Sequence, residues 1–152
     1  MDEHKNFEVN QATPADVGEI APLFDLYRQF YGKDHNPEAA RRFLFARLSK
    51  GESVVYFVRH EGKAVAFLQL YPAFSSTKLT RLWILNDLFV LAEFRQHGFG
   101  RALVERAHRL AEETQASGLV LETAVDNQAA QRLYESVGWK RDEEFYRYYM
   151  AI

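Results

Sequence analysis

Gly98 and Gly100, bracketed by Arg95 and Arg101, stand where the apolar run Asp87-Leu-Phe-Val-Leu gives way to a helical pattern carrying Leu103 and Ala107. Glycine lets a backbone take φ > 0 or approach a ligand closely, and the first-turn N–H groups of a helix lack partners within it. With two guanidinium groups beside it, such a strand-to-helix turn is a cradle for an anion, phosphate above all. The spacing Arg95-x-x-Gly98-x-Gly100 is neither of the common nucleotide loops, because no Gly-Lys-Ser/Thr ending follows and there is no third glycine. The chain has no cysteine, which excludes disulfides, thiolate metal sites and a cysteine nucleophile. None of the five histidines pairs with another at metal-ligand spacing, so no metal is expected; His97, inside the loop, would supply only its amide.

The elements that must position this loop can be read in order. Residues 7–11 form a first strand. Thr13-Pro14-Ala15-Asp16 supplies an N-cap, a first-turn proline and an acidic third position. A helix follows with Ile20, Leu23, Phe24, Tyr27, Phe30 and Tyr31 at helical spacing down to Gly32. Asn36-Pro37 opens a second helix with Ala40, Phe43, Leu44 and Leu48 on its face, stopping at Gly51. Residues 53–59 and 63–71 are β-rich runs joined by the turn His60-Glu61-Gly62. A polar loop over 72–78 and a strand over 79–90 lead to the glycine turn. The next helix buries Leu103, Ala107, Leu110 and Ala111 and ends near Gly118. An apolar strand over 119–124 follows, then a helix with Ala130, Leu133, Tyr134 and Val137 on one stripe, closed by Gly138. A final hairpin is expected over 139–141 and 144–152.

At 152 residues, 47% hydrophobic and 14% aromatic, the chain is most simply one domain with one core. It has no long apolar run that could span a bilayer and no signal-like start, so the expectation is a cytoplasmic protein without a membrane partner. A formal charge of −2 argues against nucleic acid as a partner, and Arg41, Arg42, Arg47 and Lys50 read as the wet face of the second helix.

Arg95-Gln-His-Gly98-Phe-Gly100 resembles the pyrophosphate loop, Arg/Gln-x-x-Gly-x-Gly/Ala, of the GCN5-related N-acetyltransferases (GNAT). Asn127-Gln-Ala-Ala-Gln-Arg-Leu-Tyr134-Glu-Ser-Val-Gly138-Trp resembles that family's second signature, Asn-x-x-Ala-x-x-Leu-Tyr-x-x-x-Gly-Phe/Trp. The resemblance covers nearly the whole chain and is strongest after residue 79. It implies a single-domain α/β three-layer sandwich over residues 1–152, in the order βααβββαβαββ. The central sheet would be mixed and mostly antiparallel, splayed between two parallel strands. It also implies acetyl-coenzyme A as co-substrate.

Carried over by position, the backbone of Leu88, Phe89 and Val90 would pair with the pantetheine as an added strand does. Arg95 and the amides of Gln96, His97, Gly98, Phe99, Gly100 and Arg101 would hold the pyrophosphate. Asn127, Ala130 and Tyr134 complete the coenzyme set. Asn127 is also a good helix N-cap, and both roles are compatible. Tyr134 reads as core by its stripe; by its place in the second signature it is the acid that protonates the departing thiolate.

An amine acceptor with a pKa near ~10.4 must lose a proton before it attacks. In the polyamine-acetyltransferase-like branch, which Trp83-Ile-Leu-Asn86-Asp87-Leu-Phe-Val90 resembles, a Glu-Asp pair stands where this chain has Asn86-Asp87, and asparagine cannot serve as base. Asp87 is then base, cation anchor or structural group. Strand alternation sends it to the face opposite Asn86 unless a bulge re-aims it. Glu122 and a water chain are the other candidates. The resemblance places Tyr27, Phe30, Tyr31 and Phe74 with Asn86 and Asp87 around the acceptor. Aromatic walls and a carboxylate suit a cationic amine.

The function implied is transfer of acetyl from acetyl-coenzyme A directly to a primary amine of a small molecule, polyamine-like or amino-acid-like. The alternatives are acetylation of protein lysines or N-termini and a non-catalytic coenzyme A-binding module. The aromatic run Glu144-Phe-Tyr-Arg-Tyr-Tyr-Met-Ala-Ile152 predicts a covered edge and a homodimer.

Overall fold

A five-stranded sheet carries the first of two units in the computed structural model, which describes residues 7–152; this unit ends at Glu122 and the second runs from Thr123 to Ile152. Its strands are β1 (Val9–Gln11), β2 (Val54–His60), β3 (Lys63–Ser75), β4 (Thr80–Val90) and β5 (Gly118–Val120), and they lie side by side in that order. The first three pairings are antiparallel and β4–β5 is parallel. The helices of this unit are α1 (Val17–Phe30), α2 (Pro37–Ser49) and α3 (Phe99–Glu113).

Local chemistry sets most of these boundaries. Asp16 reaches back to the Thr13 amide at 2.8 Å, and a short 3-10 turn leads into α1. Asn36 caps α2 by accepting from the Ala39 amide at 3.1 Å, with Pro37 at the first helical position. Glu61 and Gly62 hold φ of +50° and +78°, the two left-handed residues that a tight turn of matching twist between β2 and β3 requires.

The helices cover both faces of the sheet. On one side Ile20, Leu23 and Phe24 of α1 and Ala40 and Leu44 of α2 pack with Val55, Phe57 and Phe67. On the other, Leu103, Val104 and Ala107 of α3 are buried, and Trp83 donates its indole N–H to Thr114 Oγ1 at 2.8 Å, tying β4 to the end of α3. Each such large apolar side chain contributes about 1.5–3 kcal/mol on burial. An exposed helix ion pair such as Arg101–Glu105 contributes about 0.3–0.5 kcal/mol. The two apolar interfaces therefore hold this unit together.

The α/β class and the mixed, mostly antiparallel sheet between helices are as expected, with three departures. The loop expected over 72–78 is mostly strand, since β3 continues to Ser75 opposite Thr80. β2 no longer accompanies β3 past Leu70, so at Pro72 one side of β3 is an edge, the kind of position in a sheet that tolerates proline. The strand expected over 119–124 is shorter, ending at Val120. The second unit, taken by itself, contains α4 (Gln128–Ser136), and residues 139–152 form no ladder within it where a closing hairpin was expected. A two-stranded hairpin is at best marginal without a third strand or a helix to pack on.

Candidate active site

Register on β4 decides where the chemistry falls. Gln69 pairs with Asp87 and Leu70 with Leu85, so Asn86 is one residue too many and forms a β-bulge. Gln69 and Leu70, being adjacent on β3, face opposite sides of the sheet. Asp87 therefore shares the face of Gln69 and Phe67, under α1, instead of following Leu85 toward α3. A bulge also bends and twists its strand, and the parallel pairing of β4 with β5 runs only from Leu82–Gly118 to Ile84–Val120. β4 then continues to Val90 while β5 stops, so the β5-side edge of Leu88, Phe89 and Val90 is not paired with β5. That is an open edge of the kind an extended ligand can join.

Asp87 is buried, with 4% exposure. Its Oδ2 accepts from Gln69 Nε2 at 2.8 Å and its Oδ1 from Asn86 Nδ2 at 3.1 Å. Burial pushes the carboxyl above the ordinary aspartate range, and the hydrogen bonds from Gln69, Tyr27 and Asn86 offset this only in part. The Tyr27 hydroxyl also lies 3.4 Å from the Asn86 carbonyl, to which it donates. Burial, and then the Asp87 charge, push the Tyr71 phenol up to about 12, with Arg47 acting in the opposite sense. Tyr71 is thus a neutral phenol near a buried carboxyl.

Tyr27 packs edge-on against Phe67 and Tyr31 and near Phe89, with centroids 5.8, 5.0 and 6.3 Å away. Phe30 follows next to Tyr31 at 5.2 Å and is exposed. Tyr27, Tyr31, Asn86 and Asp87 are thus gathered at one place. Phe74 is not among them: it pairs with Arg81, five residues and about 16 Å along β3 from Gln69, and its exposed ring lies under the Arg81 guanidinium. Glu122 lies two residues past the end of β5. Gln69 was missed by sequence reasoning, although a lone polar residue inside Val65-Ala-Phe-Leu-Gln69-Leu-Tyr71 was the available signal.

The glycine turn forms as a cradle. Gly98 is the N-cap of α3 with φ +83°, and Gln96 also has positive φ, +65°. No side chain caps α3 at this residue, so the amides of Phe99, Gly100 and Arg101 lack the partner that a Ser or Asp would supply. A Cβ built on Gly98 would meet no heavy atom within 4 Å, so backbone conformation, not packing, calls for glycine there, and the space above the turn is open. These features fit the phosphates of a coenzyme. Phe99 turns its ring into the core against Phe7, leaving only its amide for the cradle. Arg95 and Arg101 are exposed; Arg95 Nε donates to the Val90 carbonyl at 3.2 Å, and Arg101 reaches Glu105 at 3.2 Å. His97 stacks on Phe99 at 6.0 Å. Among the described residues no group of three or more His, Asp or Glu is placed to hold a metal, and no helix is long and apolar enough to cross a membrane.

In the second unit Asn127 Oδ1 accepts from the Ala130 amide at 3.2 Å, which makes it the N-cap of α4. Tyr134 is buried, 8% exposed, with its ring 5.8 Å from that of Trp139.

The family model described as Acetyltransferase (GNAT) family matches residues 20–139. The uncharacterized N-acetyltransferase YhfO of Bacillus subtilis is 40% identical over 144 residues, 95% of this chain and 97% of its own. A probable acetyltransferase of Haemophilus influenzae is 39% identical over 122 residues, 80% of this chain and 82% of its own. A crystal structure of a probable acetyltransferase superposes with a TM-score of 0.91 at 42% identity, covering 95% of this chain and 97% of that one.

Proposed function

The chain belongs to the GNAT acetyltransferase family, and from that premise we propose that it transfers acetyl from acetyl-coenzyme A directly to a primary amine of a small polyamine-like or amino-acid-like molecule. The observation that carries this reading is the Asn86 bulge, which sets a buried, raised carboxyl among the rings of α1. A cationic amine suits a carboxylate walled by Tyr27 and Tyr31. Asp87 receives the ammonium proton, directly or through water, and the freed amine attacks the thioester carbonyl. Tyr134 gives its proton to the thiolate that leaves, and the proton shed by the nitrogen as the amide forms restores the Tyr134 phenol by way of water. With no cysteine in the chain, an acyl-cysteine intermediate is excluded, which supports direct transfer.

The first-turn amides of α3 and the turn at Gly98 hold the pyrophosphate, and the open edge of β4 from Leu88 to Val90 lines the pantetheine. The coenzyme supplies the activated acetyl group. The proposal includes a single acetyltransferase domain, supported by the family match, which crosses Glu122 into the second unit. It also includes a cytoplasmic homodimer, for which the aromatic run Glu144–Ile152 is the sequence support.

The test is a thiol-release assay with acetyl-coenzyme A against a panel of spermidine, putrescine, free amino acids, an aminoglycoside and a peptide with a free N-terminus. Turnover highest on a polyamine or amino acid supports the reading. Turnover confined to the peptide would move the acceptor to proteins, and no turnover on any amine would remove the small-molecule assignment.

A further inference from the structure

Gln69 has no exposed surface, and its neighbours in sequence, Phe67, Leu68 and Leu70, are buried apolar side chains. Its Nε2 donates to Asp87 Oδ2 at 2.8 Å, while its Oε1 is buried and has no hydrogen-bond partner among the described residues. Methionine or leucine, of similar volume, would fill the same space without leaving a buried acceptor unpaired but would take a donor from the buried Asp87 carboxylate, so the reason for an amide here lies in its bond to Asp87. What the amide provides is an N–H bond that is strongest when its acceptor is an ionised carboxylate. We propose that Gln69 is a positioning residue for acetyl transfer, holding the Asp87 carboxylate in the orientation and charge state in which it takes the amine's proton. This rests on Asp87 being the base.

Gln69 and Asp87 stand directly opposite one another on β3 and β4, so the contact is made across a single rung. Asn86 Nδ2 holds the other carboxylate oxygen, and with both oxygens engaged the group is restrained from turning. The titratable and charged groups that face it are Tyr27 from α1 and Tyr71 from β3, with Arg47 of α2 acting on Tyr71. Tyr71 stays protonated through the neutral range, so it does not compete for the proton. Burial raises the Asp87 midpoint and the Gln69 N–H opposes that rise, so removing the N–H moves the midpoint further up. At a fixed neutral pH less of the base is then ionised, and the lost rate returns as pH increases.

The experiment follows the carboxyl carbon of Asp87 by NMR in protein labelled with 13C-aspartate, its signal assigned by its loss in Asp87→Asn. The pH profile of kcat/KM is measured alongside on the fastest amine of the panel above. Gln69→Met is expected to raise the carboxyl midpoint by about one to two pH units and to carry the acid limb of the rate profile with it. Gln69→Glu, which sets a second carboxyl against the first, raises the midpoint further. A folded Gln69→Met whose Asp87 midpoint stays in place overturns the inference and leaves the base assignment standing. A midpoint that moves while the rate limb does not shows that the base lies elsewhere, ending the Asp87 reading and Gln69's part in the reaction with it. If Gln69→Met does not fold, Gln69→Glu, unchanged in size, is read by the same two criteria.

Discussion

Leu85 and Asp87 are two residues apart on one strand and face opposite sides of the sheet, because Asn86 is bulged out between the rungs they occupy. An uninterrupted strand would put both under α3. The displacement places a charged group under α1, and two opposed consequences follow for Asp87→Asn. Turnover at neutral pH should fall steeply and recover in part as pH rises and more free amine is present. Stability should change in the other direction: the folded midpoint of Asp87 is raised, so ionising it opposes folding as pH increases through that midpoint. The difference in Tm, variant minus wild type, should therefore grow more positive with rising pH. A loss confined to KM and absent for monoamines would make Asp87 a cation anchor.

Acetyl-coenzyme A should raise the melting temperature without added metal. Binding to the folded state alone contributes about 2.7 kcal/mol at a hundredfold excess over Kd. Gly98→Val should lower the melting temperature of the free protein, since a β-branched residue is strained at φ +83°, and should abolish the shift by filling the open space above the turn. An unchanged melting curve of the wild type with the coenzyme present would sink the cradle reading.

Tyr134→Phe removes one oxygen from a ring buried in the second unit, so packing and coenzyme binding should survive. Turnover should drop by about 10²–10⁴ where chemistry limits the rate. Stopped-flow or steady-state rates within a few-fold of wild type would return Tyr134 to a packing role.

Asp25 is a stability prediction. Its buried carboxylate on α1 accepts from the Asn36 amide at 2.8 Å and from Gln29 at 2.9 Å, and meets His35 Nδ1 at 2.6 Å, fastening the connection from α1 to α2. Burial alone would raise its carboxyl, yet the Asn36 amide, His35 and Gln29 together hold it below the ordinary range. Stability from this group is thus present above the unfolded aspartate range and lost as pH falls through the lower folded midpoint. Asp25→Asn should cost about 1–3 kcal/mol at neutral pH, and urea titrations should show the difference shrinking toward pH 3.

Solution scattering at micromolar concentration should report twice the monomer mass, with the aromatic run Glu144–Ile152 at the shared surface. A monomer mass refutes this, and a dimer unaffected by charged substitutions at Tyr146 and Tyr148 places the contact elsewhere.

The sequence by itself determined the features whose causes lie within a few residues. The Asn36-Pro37 cap, the Glu61-Gly62 turn, the buried stripe of α3 and the left-handed Gly98 at its N-cap all came out as the local chemistry requires. The element order was legible through α4 for the same reason. Tertiary structure decided what depends on register. Which residue of β4 lies opposite Gln69 is a competition settled eighteen positions away in the chain, between an unbroken ladder with a carboxylate under α3 and a bulge that turns it under α1. The resemblance to the family raised the possibility of a bulge beside Asp87, but not its outcome. Gln69 gave no sign of its partner, and how far β5 pairs with β4 is likewise a matter of register between strands distant in the chain, which the apolar run over residues 119–124 does not encode.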